Sequence, residues 1–401
     1  MTGPTEITVA TYEGGRDAFR QKHLRQALYD AGEVVMADVL VNLHGEDHRA
    51  RRRLENRLFR RDNHAHYEHD RFPPIVEESL APHVVAGRAE LVSLSHQLMM
   101  NLAAATAGVD RPLGTVDETM HLYRYLMTFI EGATLAHFTG DREAKRAEVA
   151  AALDGFDAEF LEPSVDRRRA LLAAVAAGDL DEDALPRDVL TVLLRNQDDL
   201  ELRRDVVLRE TCFYLLAGAH TSATAFVRTL HAVFGAGGDV VERAAADRAF
   251  LQRCVHETVR LHPSSPVAMR WALEDLQLAD GRRVRAGDKV VIDLLAANRD
   301  PEAFGPGADV FDPERRPAPG VAPWGLSFGL GMHACIGQEL AAGREWPADD
   351  DQGDGADHLY GLVAVAVEAV LRAGGRPDAG DPPVLDPASA RGYWARYPIR
   401  F

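Results

Sequence analysis

Apolar residues recur at three- and four-residue spacing along most of this chain. Positions 48–61, 88–108, 116–139, 143–160, 202–234 and 247–261 all carry that period, which predicts amphipathic helices. Strand-like runs are confined to the later part, at 277–278, 283–284 and 289–295. They surround the turn signals Ala279-Asp280-Gly281 and Ala286-Gly287-Asp288. The Pro-, Gly- and Asp-rich stretch 374–401 predicts a terminal hairpin. Positions 301–323 show little period, and a long irregular segment inside a compact domain is usually functional. No fixed repeat and no linker-like composition break interrupts the chain. The expected fold is mainly α, a single helix-rich domain over 1–401 with small β-sheets. The acidic stretch 346–358 is expected to be a surface insertion between two helices.

Composition narrows the classes without choosing among them. The 401 residues are 46% hydrophobic and 27% charged, which excludes a disordered chain. With 45 basic against 62 acidic residues the formal charge is −17, which argues against a general nucleic-acid binder. Three cysteines cannot form a disulfide framework and suit a reducing compartment. Positions 1–20 lack a leader pattern, and no apolar run reaches the ~18 residues of a membrane span. A cytoplasmic protein without membrane attachment is expected.

The sharpest local feature is Phe328-Gly329-Leu330-Gly331-Met332-His333-Ala334-Cys335-Ile336-Gly337, followed by a helical pattern at 338–344. Two glycines before a cysteine let the backbone turn tightly, and a helix starting just after it favours thiolate over thiol. Such a thiolate serves as nucleophile, zinc ligand or haem ligand. Zinc fits poorly, because no Cys-x-x-Cys accompanies it. A nucleophile needs a general base that sequence does not place. Haem ligation fits best.

The segment resembles the haem-binding loop of the cytochrome P450 family, Phe-Gly-x-Gly-x-His-x-Cys-x-Gly, with every fixed position matched from Phe328 to Gly337. Three more matches follow the family's order. Glu257-Thr258-Val259-Arg260 resembles its Glu-x-x-Arg, and Phe311-Asp312-Pro313-Glu314-Arg315 resembles the segment whose Arg315 completes a structural Glu–Arg–Arg cluster. Ala217-Gly218-Ala219-His220-Thr221 resembles the oxygen-activating segment of the long central helix, where Gly218 suggests a local distortion.

The resemblance implies a monooxygenase that holds haem b through Cys335 as the axial iron ligand. Propionate contacts are implied at His48, Arg52, Arg270 and His333, and a proton relay at Thr221. His220 is a departure, because the family usually has an acid there. A second departure is the short region 1–47 ahead of His48, so the first helix and strands are expected to be missing or rebuilt. Phe213, Val267 and Met269 are expected to line a substrate pocket. The implied chemistry uses O2 and electrons from NAD(P)H through separate redox proteins, with hydroxylation of a small organic molecule as the default and a place in specialised (secondary) metabolism. Seven arginines, Arg49 first and Arg61 last, offer a docking face for an acidic ferredoxin or flavodoxin with its reductase. Two alternatives remain: a haem-binding sensor without turnover, and a peroxide-driven enzyme.

Overall fold

The computed structural model describes residues 4–345, 358–387, 389 and 391–401. They fall into two compact units. One comprises Met1–Arg25, His64–Leu98 and Thr221–Phe401, and the other Gln26–Asn63 and Met99–His220. The architecture is mainly helical, with small sheets.

The first unit is built on a four-stranded sheet of order β1-β7-β4-β2. Its strands are β1 (Glu6–Val9), β2 (Leu24–Gln26), β4 (Val267–Ala272) and β7 (Lys289–Asp293). β1 runs parallel to β7, and β4 runs antiparallel to it. Strands are therefore not confined to the later part of the chain. Nor are a first helix and strands missing from the amino-terminal region: β1 and β2 flank a helix, Tyr12–Arg20, whose first turn Thr11 caps by accepting from the Gly14 amide. This helix buries Tyr12, Gly15, Ala18 and Phe19. A side chain at Gly15 would come within 2.6 Å of Leu326, so the seam is made of small residues that carry little hydrophobic signal. Tyr12, Phe19, Val290, Ile292, Phe304 and Leu326 share one core cluster.

The remaining strands are β3 (Arg88–Glu90), β5 (Leu276–Gln277), β6 (Arg283–Val284), β8 (Arg376–Pro377), β9 (Val384–Leu385), β10 (Trp394–Arg396) and β11 (Pro398–Arg400). The carboxy-terminal stretch holds a small hairpin as expected, the consecutive strands β9 and β10, and adds a strand beyond it. β11 lies between β3 and β8, and β10 pairs with β9. β3 lies some three hundred positions earlier, a partner that local pattern does not reveal.

Behind Cys335 the helix is shorter than expected. It covers Gln338–Ala342 and stops at Gly343, whose φ is +74°. Another helix, Leu362–Arg372, begins after Gly361. The chain passes through a pinch here: a side chain on Gly361 would come within 2.3 Å of the Gly343 nitrogen. Gln252 donates to the Ala342, Leu359 and Tyr360 carbonyls, and the buried Glu68 accepts from the Tyr360 and Gly361 amides. His256 donates to the Ala342 carbonyl at 2.8 Å, and burial holds its ring down to about 4, so it is neutral at pH 7. Of the acidic stretch 346–358, only His358 lies within the described residues.

The helix Arg248–Leu261 carries the anchor of this unit. Glu257 is 4% exposed and Arg260 0% exposed. Arg260 donates to both Glu257 oxygens, at 2.6 and 2.7 Å, and to the Ala308 carbonyl at 2.6 Å. Arg315 donates to Glu257 at 2.9 Å and to the carbonyls of Phe304, Gly307 and Val310. One carboxylate thus fixes the otherwise irregular stretch after position 301.

In the second unit, helices Val116–Ala133 and Arg142–Phe156 pack through Phe129 and Phe156, edge to face at 5.5 Å. Arg168 ties the Asp110 and Asp188 carboxylates together nearby. The longest helix, Arg204–Gly235, has residues in both units and shows no break at Gly218. The distortion suggested by that glycine is not seen, its ~1 kcal/mol local cost being carried by a 32-residue helix.

Removing the charge of Glu257 while keeping its size tests the anchor. Glu257→Gln is expected to lower the urea midpoint by an amount equivalent to ~3–5 kcal/mol, because two guanidiniums lose their carboxylate. A loss under ~1 kcal/mol would show that the backbone carbonyls alone hold Arg260 and Arg315.

Candidate functional site

Cys335 sits on a loop whose shape is set by its glycines. Gly329 and Gly331 have φ of +63° and +69°. A side chain on Gly331 would come within 2.5 Å of the Phe19 carbonyl oxygen, so both conformation and space require glycine there. The loop closes on itself through the Cys335 amide, which donates to the Phe328 carbonyl at 2.7 Å. The short helix after Gly337 begins three residues beyond Cys335.

Asn298 joins this loop to the anchor helix. Its amide nitrogen donates to the Arg260 carbonyl and the Ser327 hydroxyl, and its oxygen accepts from the Leu326 amide at 2.7 Å. Ser327 in turn donates to the Val259 carbonyl at 2.8 Å. Asn298 and Ser327 were not singled out in the sequence, since each is an ordinary polar residue until the loop folds back. Phe19 was missed for the same reason. It packs beside Gly329, and the guanidinium of buried Arg270 lies over its ring, 5.2 Å from the centroid.

The three cysteines differ in what they present. Cys335 is exposed, whereas Cys212 and Cys254 are sealed. Burial pushes the Cys254 thiol up to about 12 and the Cys212 thiol well above its ordinary value. Only Cys335 can offer its sulfur to an incoming iron. The donor set therefore fits a haem, with a thiol at the surface of a loop whose backbone is already fixed.

The other residues named from the sequence lie as follows. Phe328 is half-buried and packs edge-on against Trp324, His333 is half-buried in a short helical turn, and Gly337 caps the Gln338–Ala342 helix. On β4, Val267 and Met269 alternate with Ala268 and Arg270, so they face away from the core that Ala268 packs against. In the second unit His48 is buried, and burial, with Arg52 and His44 beside it, lowers its ring to about 4. It is therefore a neutral imidazole at pH 7, able to donate one N–H. Arg52, one turn on, is half-buried and donates to Asn56 at 2.8 Å.

Ala217, Gly218 and His220 are half-buried on the long helix, Thr221 is exposed, and the Thr221 carbonyl accepts from Ser264 at 3.3 Å. Phe213 packs edge-on against Tyr214. The arginine-rich segment is less uniform than its composition suggests. Its helix, Gly45–Glu55, ends early, Arg49 pairs with Glu46, and Arg51 turns inward to Glu210. Among the described residues no helix is long and apolar enough to cross a membrane.

Comparison with known proteins agrees on one family. A model of the cytochrome P450 family matches residues 228–343. Cyclooctat-9-en-7-ol 5-monooxygenase of Streptomyces melanosporofaciens is 27% identical over 388 residues, covering 84% of this chain and 77% of that protein. C-19 steroid 1alpha-hydroxylase of Sorangium cellulosum is 31% identical over 160 residues, 40% of this chain and 38% of that protein. The solved structure of P450BioI, in complex with an acyl carrier protein bearing hexadec-9Z-enoic acid, shares the fold. It superposes with a TM-score of 0.75 at 20% identity, covering 98% of this chain and 92% of that one. A monooxygenase and a hydroxylase thus stand among the proteins it is similar to, and its residues 228–343 match the cytochrome P450 family, which supports an oxidoreductase enzyme.

Proposed function

We propose that this chain is a haem-thiolate monooxygenase of residues 1–401, read as one domain because the helix Arg204–Gly235 belongs to both units. The observation that carries the proposal is the contrast between exposed Cys335, on its glycine-shaped loop, and the two sealed cysteines. When bound, haem b supplies O2 activation, fed with electrons from NAD(P)H through a ferredoxin or flavodoxin and its reductase. One oxygen atom enters an organic substrate and the other leaves as water.

Cys335 holds the iron through its sulfur, and the closed loop from Phe328 to Gly337 fixes where that sulfur lies. His48, as a neutral N–H donor, and Arg52, Arg270 and His333 hold the propionates. Thr221 presents a hydroxyl that accepts and passes on a proton, and the His220 imidazole beside it handles protons near neutral pH. Phe213, Val267 and Met269 line the pocket and exclude water from the reacting carbon. The names of the two relatives favour an apolar ring compound as substrate, with hydroxylation as the outcome. A place in specialised metabolism, a cytoplasmic setting, and docking of the redox partner near Arg49 and Arg61 belong to the same proposal.

The reduced, carbon-monoxide-treated protein is expected to show the red-shifted Soret band of thiolate-bound haem, and Cys335→Ala is expected to abolish it. An unchanged spectrum in that variant would remove Cys335 as ligand. Thr221→Ala is expected to keep the band while releasing several-fold more peroxide per NADPH oxidised. Equal peroxide yield from variant and parent would sink the hydroxyl's role.

A further inference from the structure

Phe19 belongs to no motif that points to haem, yet it touches two parts of the first unit that the proposed chemistry uses. It lies in the last turn of the Tyr12–Arg20 helix and is 6% exposed. Its backbone oxygen is the atom that a side chain on Gly331 would meet at 2.5 Å. Its ring runs beside Gly329, where an added Cβ would lie 3.6 Å from Cε1 and 3.8 Å from Cζ. The same ring carries the Arg270 guanidinium, whose carbon is 5.2 Å from the centroid. Gly329 and Gly331 shape the loop that the Cys335 amide closes on the Phe328 carbonyl. Phe19, Arg270 and that loop all belong to the first unit.

The helix that presents Phe19 is anchored on its own account. The Tyr12 amide donates to Asp300 at 2.9 Å, and the Tyr12 ring meets Phe304 edge-on at 5.7 Å. Asp17 accepts from the Ala279 amide at 2.7 Å, and Gly15 lies tight against Leu326. Phe19 is therefore a fixed post rather than a side chain that follows its neighbours. Arg270 is fixed at its backbone, in β4 opposite Val290 of β7. The strand does not fix its guanidinium, because arginine has many rotamers to lose. The ring beneath it narrows that choice through charge and shape together. The Met269 carbonyl, which accepts from Arg270 Nη1 at 2.9 Å, narrows it further.

A porphyrin is rigid, so the residues that grip it must stand at one spacing before it arrives. We propose that Phe19 is a positioning residue for the haem, setting the Arg270 guanidinium against the cysteine loop so that the propionate contact and the Cys335 sulfur are presented together. The proposal deepens the haem-thiolate reading and rests on it. Phe19 acts through Arg270, Gly329 and Gly331 and takes no part in the reaction itself. Its two contacts make different demands. The loop needs apolar bulk, which leucine also supplies. Arg270 needs the negative face of a ring, which leucine lacks.

That difference allows a double-mutant cycle on the full haem-loaded chain, read as the rate at which ferric haem passes to excess apomyoglobin. Arg270→Gln is expected to speed haem loss roughly ten- to a hundredfold, because a hydrogen bond between two charged groups is gone. Phe19→Leu is expected to speed it about fivefold in the parent background. In the Arg270→Gln background the same substitution is expected to change the rate by less than about twofold, since the ring then has no cation to hold. The carbon-monoxide complex of Phe19→Leu is expected to keep the thiolate band. That of Phe19→Ala, which removes the bulk as well, is expected to lose a large share of it.

A role confined to core packing lowers the urea midpoint but leaves the two effects on haem loss independent. Equal acceleration by Phe19→Leu in both backgrounds, no acceleration in the parent background, or a full thiolate band in Phe19→Ala overturns the proposal. The parent's own carbon-monoxide spectrum separates the two levels. A parent without the thiolate band defeats the haem-thiolate reading and the proposal with it, whereas a parent with the band and an additive cycle defeats the positioning role alone.

Discussion

The Glu257 carboxylate is the point on which the first unit is hung. It holds two guanidiniums, and each of these spends its remaining N–H groups on backbone carbonyls of a segment with little regular structure of its own. A loop of that length would otherwise have to be ordered against ~1–2 kcal/mol of backbone entropy per residue. Charge-assisted hydrogen bonds from a rigid helix supply that order. Asn298 then carries it into the cysteine loop, since it bonds both the Arg260 carbonyl and the Leu326 amide. The sulfur of Cys335 is positioned by a chain of polar contacts that starts at a carboxylate with no part in the chemistry.

Packing and polarity divide the work at the loop. The Tyr12–Arg20 helix supplies a wall against which Gly331 turns, and its Phe19 also carries the Arg270 guanidinium over its ring. Cys212 and Cys254 are as cysteine-like in composition as Cys335, yet burial raises their thiols and makes them inert. Exposure on a fixed backbone, not residue type, is what sets Cys335 apart from the other two.

What could be read from the sequence was whatever is local. The glycines and cysteine from Phe328 to Gly337 lie within ten positions, and Glu257 and Arg260 lie one helical turn apart. The long helices were equally visible, because their apolar stripes repeat. The amino-terminal helix was hidden because its buried seam is Tyr12, Gly15, Ala18 and Phe19, half of it too small to register as apolar. The small hairpin near the carboxy-terminus was legible, but the pairing of the last strand with β3 was not, because β3 is remote in the chain. The pairing of Arg51 with Glu210 was invisible for the same reason, its members being 159 positions apart. A buried ion pair cannot be told from two surface charges until the fold brings them together.

The pinch at Gly343 and Gly361 has a consequence for how this protein can change. The chain leaves and re-enters the fold at one point, and Gln252 and Glu68 grip both sides of the neck. Doubling the length of a flexible loop between two such fixed ends adds only about 0.6 kcal/mol of closure entropy. An interval between two ends fixed this way can differ in length at little entropic cost while Gly343 and Gly361, held by Gln252 and Glu68, stay where they are.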